Sequence, residues 1–329
     1  MMQIGLIGVG AGAAATLLFA SVTSGTWLSI PLFYLAPLPI MIAGIGWSHW
    51  SALIAATVAS AALGLYFGGV FFFAFLAGAG LPAWWLAYLA MLARPAEANA
   101  GVGVANDNAL EWYPPGRLVV WAAVLAALVV IVAIPNFGTD AESFRAGLTN
   151  ALSRMLRSEI GAGADGPLTI PGVNNAPRLI DILVAAIPPA AAVLATITNV
   201  FNLWLAARIV KFSGRLTRPW PQISEMVFPR LTTAALALAI ALSFLDSILG
   251  IVAGVASSAL LMAYGVLGFA VLHSITQGVG SRGFMLAGVY VSVGLFGWPV
   301  LALCLLGLVE IAFDLRARAA RKRGPPARL

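Results

Sequence analysis

Charge is what this sequence has least of. Only 9% of its 329 residues are charged while 61% are hydrophobic, against roughly 25% charged in ordinary soluble domains, so no water-facing surface can be assembled from it. Cysteine is nearly absent too. The single Cys304 excludes an internal disulfide and a cysteine-rich metal site, and leaves the redox compartment open. The two histidines, His49 and His273, have no cysteine or acidic cluster beside them, which leaves zinc and di-iron sites unsupported. Catalytic patterns are missing as well: no nucleophile elbow, no HExxH pair, no phosphate-binding loop. With no convergent acid, base and nucleophile, neither an enzyme nor a cofactor is expected. No internal repeat stands out.

What the chain does have is long apolar runs. Taking about 20 apolar residues as one crossing of the bilayer, bounded by polar, glycine or proline punctuation, spans are expected at residues 4–22, 28–46, 50–66, 70–92, 118–135, 179–207, 231–245 and 249–276. The N-terminus lacks the basic region of a secretory signal, so an uncleaved first span is expected. The fragment GVGAG at residues 8–12 has no preceding strand or following acid and reads as close helix packing through small residues, not as a dinucleotide loop. The last apolar region, 284–313, would make a helix about 45 Å long, interrupted at GLFGWP.

Charge asymmetry resolves that region. The segment 208–230 carries Arg208, Lys211, Arg215, Arg218 and Arg230, and the tail carries Arg316, Arg318, Arg321, Lys322, Arg323 and Arg328. Both should face the cytoplasm, which requires splitting the last region at Gly297 and Pro299 into a helical hairpin. Its arms of about 14 residues are short for a ~30 Å core. The same count puts the N-terminus inside. The net charge of +6 is thereby accounted for by membrane topology, and nucleic acid is not an expected partner.

The expected fold is all-α: a polytopic transmembrane bundle of about eight full spans plus the C-terminal hairpin, with one amphipathic extramembrane helix. It would comprise a four-span unit at 1–93, a cytoplasmic linker at 94–117, a helical unit at 118–316 and a basic tail at 317–329. The lipid bilayer of a bacterial inner membrane is its expected partner, with both termini cytoplasmic. In the linker, Trp112 and Tyr113 suit the headgroup level. In 139–160, Thr139 and Glu142 have capping-box spacing, and Phe144, Leu148, Leu152 and Met155 recur at helical intervals. That helix either lies on the membrane surface or packs between spans.

Polar groups inside apolar spans are costly and therefore informative. The stretch PLFYLAPLP holds Pro31, Pro37 and Pro39 in one span. Interior prolines there are tolerated only where protein or water rescues the freed carbonyls. The sixth span has Pro188 and Pro189, then Thr196, Asn199 and Asn202 at i, i+3 and i+6. These either line a ligand cavity, as broken helices do, or hydrogen-bond neighbouring helices. Pro37, Pro39, Thr196, Asn199 and Asn202 are the candidate substrate-binding residues. Asp181 and Asp246 read as solvated span ends. In GLVEIAFDLRAR, Glu310 and Asp314 are four apart and would repel, while Arg318 can pair with Asp314. Arg215, Arg218, Glu310, Asp314 and Arg316 are the candidate surface for docking a cytoplasmic or membrane protein partner.

The motifs PLFYLAPLP, LFGWP and GLVEIAFDLRAR resemble those of the YybS-like family of bacterial membrane proteins, a family of unknown function. Gly307, Glu310, Asp314 and Arg316 match its terminal glycine, acid and Asp-x-Arg element, with Glu310 where an aspartate is expected. That family is in turn distantly similar to the membrane-embedded substrate-binding components of energy-coupling-factor vitamin transporters, which are shorter. The resemblance implies a transport-related protein that binds a small solute. The alternative is a non-catalytic scaffold in envelope biogenesis, acting through the basic loop and tail.

Overall fold

The computed structural model describes residues 2–95, 110–160, 173, 175–222 and 226–323. Most of the expected linker, 96–109, and the end of the basic tail, 324–329, lie outside them.

The described chain is helical apart from one short antiparallel pair, β1 (Ala93–Pro95) and β2 (Leu110–Trp112). Among the described residues seven helical segments are long and apolar enough to cross a membrane: Met2–Ser24, Ser29–Gly46, His49–Phe67, Gly69–Ala90, Pro115–Asn136, Ala176–Phe212 and Ile248–Ile275. Large apolar side chains such as Phe212, Leu65, Phe284 and Leu231 stand almost fully exposed, as hydrocarbon permits and water does not. Length and composition together make this a helical membrane protein. The expected span 231–245 is a helix of only 13 residues, Arg230–Leu242, because the backbone leaves the helix at Ser243 and turns through Asp246 before Ile248.

The chain forms two compact units. The first comprises Met1–Ala122, Ile197–Pro229 and Ala263–Leu329; the second comprises Ala123–Thr196 and Arg230–Met262. In the first, α1 (Met2–Ala20) packs on α4 (His49–Phe67), with α2 (Ser29–Tyr34) and α3 (Leu38–Gly46) between them in sequence. The reason is a stripe of small residues. Ala52, Ala55, Ala56 and Ala59 are fully buried on α4, and a Cβ added at Gly12 would come within 2.8 Å of the Ala55 carbonyl oxygen, so backbone meets backbone closely. Further along, α5 (Gly69–Phe75) runs through a π turn at Leu76–Gly80 into α6 (Leu81–Ala90).

The second unit takes in parts of α7 (Pro115–Ala133), all of α8 (Ala141–Ile160), the first part of α9 (Ala176–Phe212), α10 (Arg230–Leu242) and most of α11 (Ile248–Ile275). Phe144 and Leu148 of α8 are buried against Ile134, Ile180 and Val184. The amphipathic helix is therefore packed into its unit. Met155 is 64% exposed, and Leu156 joins the cluster instead. The helix is capped one residue later than the Thr139 and Glu142 spacing suggests. Asp140 Oδ1 accepts from the amides of Glu142 at 3.0 Å and Ser143 at 2.9 Å, while the Asp140 amide donates to Ser143 Oγ at 3.2 Å. Aspartate outcompetes threonine as a cap because its charge also suits the helix dipole.

The remaining helices of the first unit are α12 (Arg282–Phe296), α13 (Val300–Phe313) and α14 (Leu315–Arg323). The break between α12 and α13 falls at Gly297, in the left-handed region at φ +70, with Pro299 preceding α13.

Candidate functional site

Proline 37 removes a backbone donor, and the consequence can be followed bond by bond. The Phe33 carbonyl turns to the Ala36 amide, 3.1 Å, and the Leu35 carbonyl, which Pro39 cannot serve, takes the Leu38 amide at 3.0 Å. Leu38 is the residue that would have satisfied Tyr34 in a regular helix. The Tyr34 carbonyl is left without a local donor, and Asn202 Nδ2 supplies one at 2.9 Å. The same amide nitrogen donates to the Thr198 carbonyl, 2.9 Å, one turn back on α9. Since both neighbours are acceptors, the amide cannot be flipped. Asn202 is 1% exposed, and its Oδ1 has no partner.

Asn199 does similar work, donating to the Ala122 carbonyl at 3.1 Å, while Thr196 returns its hydroxyl to the Ala192 carbonyl on its own helix, 2.8 Å. Pro37, Pro39 and Asn202 thus meet at one repaired break. Asn199 and Thr196 stand further back on α9 and bond to α7 and to α9 itself.

The cytoplasmic-docking candidates also bond within the first unit. Arg218 is 9% exposed and donates to the Ala90 carbonyl, 2.9 Å, at the end of α6, and to the Tyr113 carbonyl, 2.8 Å. Burial lowers its pKa from the ordinary arginine value. Glu310, 4% exposed, accepts from Arg316 Nε at 2.5 Å and from the Arg316 amide at 3.2 Å. Arg316 reaches on to the Met226 carbonyl, 3.0 Å. This geometry needs Asp314, whose φ of +48 ends α13 and swings α14 round so that Arg316 faces back to Glu310. Gly307 completes the element, because a Cβ there would collide with the Tyr264 carbonyl oxygen. Arg318 lies over the Phe313 ring at 5.7 Å, so the pairing anticipated with Asp314 is not the contact it makes. Arg215 stacks on Trp47, 4.6 Å from the ring centroid.

The second unit holds a different arrangement. Pro188 and Pro189 lie inside the continuous helix α9, so the carbonyls of Val184 and Ala185 have no amide four residues on to bond. Both residues line a cavity of about 520 Å³ together with Asp181, Pro188, Pro189, Asp246 and Arg145. Phe144, Phe244 and Ile251 give it apolar walls, and Thr149 and Ser243 add hydroxyls. Arg145 Nη2 stands 3.5 Å from Asp246 Oδ1, an exposed pair of the kind worth less than about 1 kcal/mol. The lining therefore carries two carboxylates and two hydroxyls as acceptors, with Arg145 as its one cation. Its volume is in the range of small-molecule sites, about 300 to 1,000 Å³.

Asp181 and Asp246 are exposed, as expected of solvated span ends, and both also line this cavity, whereas the asparagines expected beside a cavity do not. One signal was available. Asp181, Val184, Ala185 and Pro188 fall at i, i+3, i+4 and i+7, a single helical face. Among the described residues no group of three or more His, Cys, Asp or Glu gathers to hold a metal ion.

Comparison with family models, with curated proteins and with solved structures returned no match to the chain.

Proposed function

We propose that the protein is a non-catalytic, transport-related membrane component that binds a small solute in the cavity beside Pro188 and Pro189. The observation that carries this reading is the coincidence of two residues whose carbonyls lose their i+4 amide to proline, two carboxylates and a cavity of about 520 Å³ inside one unit of a membrane protein. Acceptor-rich polar groups over apolar walls favour a solute bearing an ammonium or several hydroxyl donors, with its carbon skeleton against Phe144 and Ile251. Membership of the YybS-like family, a bacterial inner-membrane location and cytoplasmic termini belong to the same proposal, supported by the terminal motif and by the basic segments at the ends of apolar helices. The scaffold alternative draws less support, since Arg218, Glu310 and Arg316 spend their bonding capacity inside the unit.

The test uses Gly254, which lines the cavity and at which an added Cβ meets nothing within 4 Å. Gly254→Leu therefore fills the space without displacing backbone. Purified protein in detergent is melted against a panel of ammonium-bearing and polyhydroxylic metabolites. A binder present at 100 times its Kd stabilises the native state by about 2.7 kcal/mol, and this shift should vanish in Gly254→Leu. A panel without any shift, or a shift that survives Gly254→Leu, overturns the proposal.

A further inference from the structure

The first unit contains a second pocket of opposite chemistry. Trp112, Pro115, Arg218, Pro219, Trp220 and Gln222 line a cavity of about 240 Å³. Arg218 is more than nine-tenths buried, and among the described residues its guanidinium donates to the carbonyls of Ala90 and Tyr113. Among the described residues no carboxylate pairs with it. A guanidinium has five N–H donors. Carbonyl oxygens satisfy two of them but neutralise no charge, and a buried charge without a counterion is costly. Other cations gather close by. Lys211 Nζ stands 4.8 Å from the centroid of the Trp220 ring and the Arg208 guanidinium 5.5 Å from it.

We propose that this pocket binds a phosphate group, supplied by the headgroup of an anionic phospholipid. The guanidinium fork matches two phosphate oxygens, which a lone ammonium does not. The cations sit at the end of the long apolar helix α9 and in the loop that follows it, and indoles such as Trp112 and Trp220 favour the border between hydrocarbon and headgroups. Basic pockets at such borders are where anionic headgroups are held. The volume admits a phosphate with its glycerol neighbours and is too small for a nucleotide.

The full-length protein is purified in a neutral detergent and melted with dioctanoyl phosphatidylglycerol, with dioctanoyl phosphatidylcholine, and with inorganic phosphate at equal concentration. Phosphatidylglycerol at about tenfold saturation should raise Tm by about 3 °C or more; phosphatidylcholine and inorganic phosphate should not. Arg218→Lys should lose the shift by losing the fork. Because that variant also gives up a carbonyl contact, Gln222→Trp is the independent arm: it fills the pocket from its exposed rim and leaves Arg218 in place. It should melt like the parent without lipid and ignore phosphatidylglycerol, whereas Arg154→Gln, outside the pocket, should keep the full response. An equal shift with inorganic phosphate removes the lipid as source and keeps the phosphate site. Equal shifts with both lipids, or a shift unchanged in Gln222→Trp, overturn the proposal. Gly254→Leu should retain the phosphatidylglycerol response, so the solute cavity and this pocket fail or stand separately.

Discussion

Two proline pairs sit in long apolar segments, Pro37 with Pro39 and Pro188 with Pro189, and the fold treats them in opposite ways. At Pro37 and Pro39 the one carbonyl left over, that of Tyr34, is met by an amide 168 residues away in sequence, Asn202 Nδ2. At Pro188 and Pro189 the helix runs on, and the carbonyls that lose their i+4 amide belong to Val184 and Ala185, residues that line a cavity. Proline chemistry is identical in the two places. What differs is whether a neighbouring helix brings a donor. A proline-bearing membrane helix is therefore a candidate site only where no neighbouring helix supplies the missing donor, and the break at Pro37 shows how little it takes to remove one: a single asparagine.

The closed character of the first unit is most easily broken at Glu310. Glu310→Ala leaves the Arg316 guanidinium without its carboxylate in a place where Glu310 is only 4% exposed. Removing one partner of a buried pair costs about 3–5 kcal/mol. The midpoint of unfolding in a denaturing-detergent titration should fall accordingly. A loss below about 1 kcal/mol would show the pair to be solvated, like the exposed Arg94 and Glu111 pair between β1 and β2.

Asn202→Leu is a finer cut. It strips the Tyr34 carbonyl of its donor but also removes the unpartnered Oδ1, so the expected loss is about 1–2 kcal/mol. The contrast between the breaks predicts more than the magnitude: solute-dependent stabilisation should be untouched. Loss of that stabilisation in Asn202→Leu would move the site to the first unit. Gly254→Leu should do the reverse, raising stability by about 1 kcal/mol through helix propensity while abolishing the solute response. Smaller still is Asp246→Asn, which should change stability by less than about 0.5 kcal/mol because its pair with Arg145 is exposed. It should nevertheless weaken binding of a cationic solute.

Much of this architecture was legible in the residues. Apolar run length marks the long helices because hydrocarbon forces every backbone group to be satisfied within the segment, and Gly297 with Pro299 marks the break before α13. The buried face of α8 was half legible: Phe144 and Leu148 follow the period, but Met155 and Leu156 compete for the same turn, and packing against the cluster around Phe144 and Leu148 takes Leu156. The site was less so. Nothing local tells that Asn202 will find Tyr34, or that Arg218 will bury itself under Ala90 and Tyr113, since those partners are set by tertiary packing. Cations that topology reads as surface anchors can be internal ties. Conversely, Asp181 and Pro188 share a face visible from spacing alone, but only the fold shows that α8 and the turn at Ser243–Asp246 leave a space in front of it.

The smallest expected effect concerns the rim of the solute cavity, through the helix that supplies Phe144, Arg145 and Thr149 to its lining. Hydrogen bonds from the Ser143 hydroxyl and amide, and from the Glu142 amide, hold the Asp140 carboxyl below its ordinary value of 3.8. A pKa depressed in the folded state adds stability that is complete above the unfolded value and fades as pH falls through the folded one. Asp140 is fully exposed, so the contribution is local and readily screened by solvent. Amide hydrogen exchange across residues 141–148, corrected for intrinsic rates, should show protection that declines only once pH drops below about 4. In Asp140→Ala the same amides should exchange faster at neutral pH, with no further acid-dependent step, while those in the first unit keep their rates. An acid step that persists in Asp140→Ala would assign the titration to another carboxylate and leave the cap without electrostatic content.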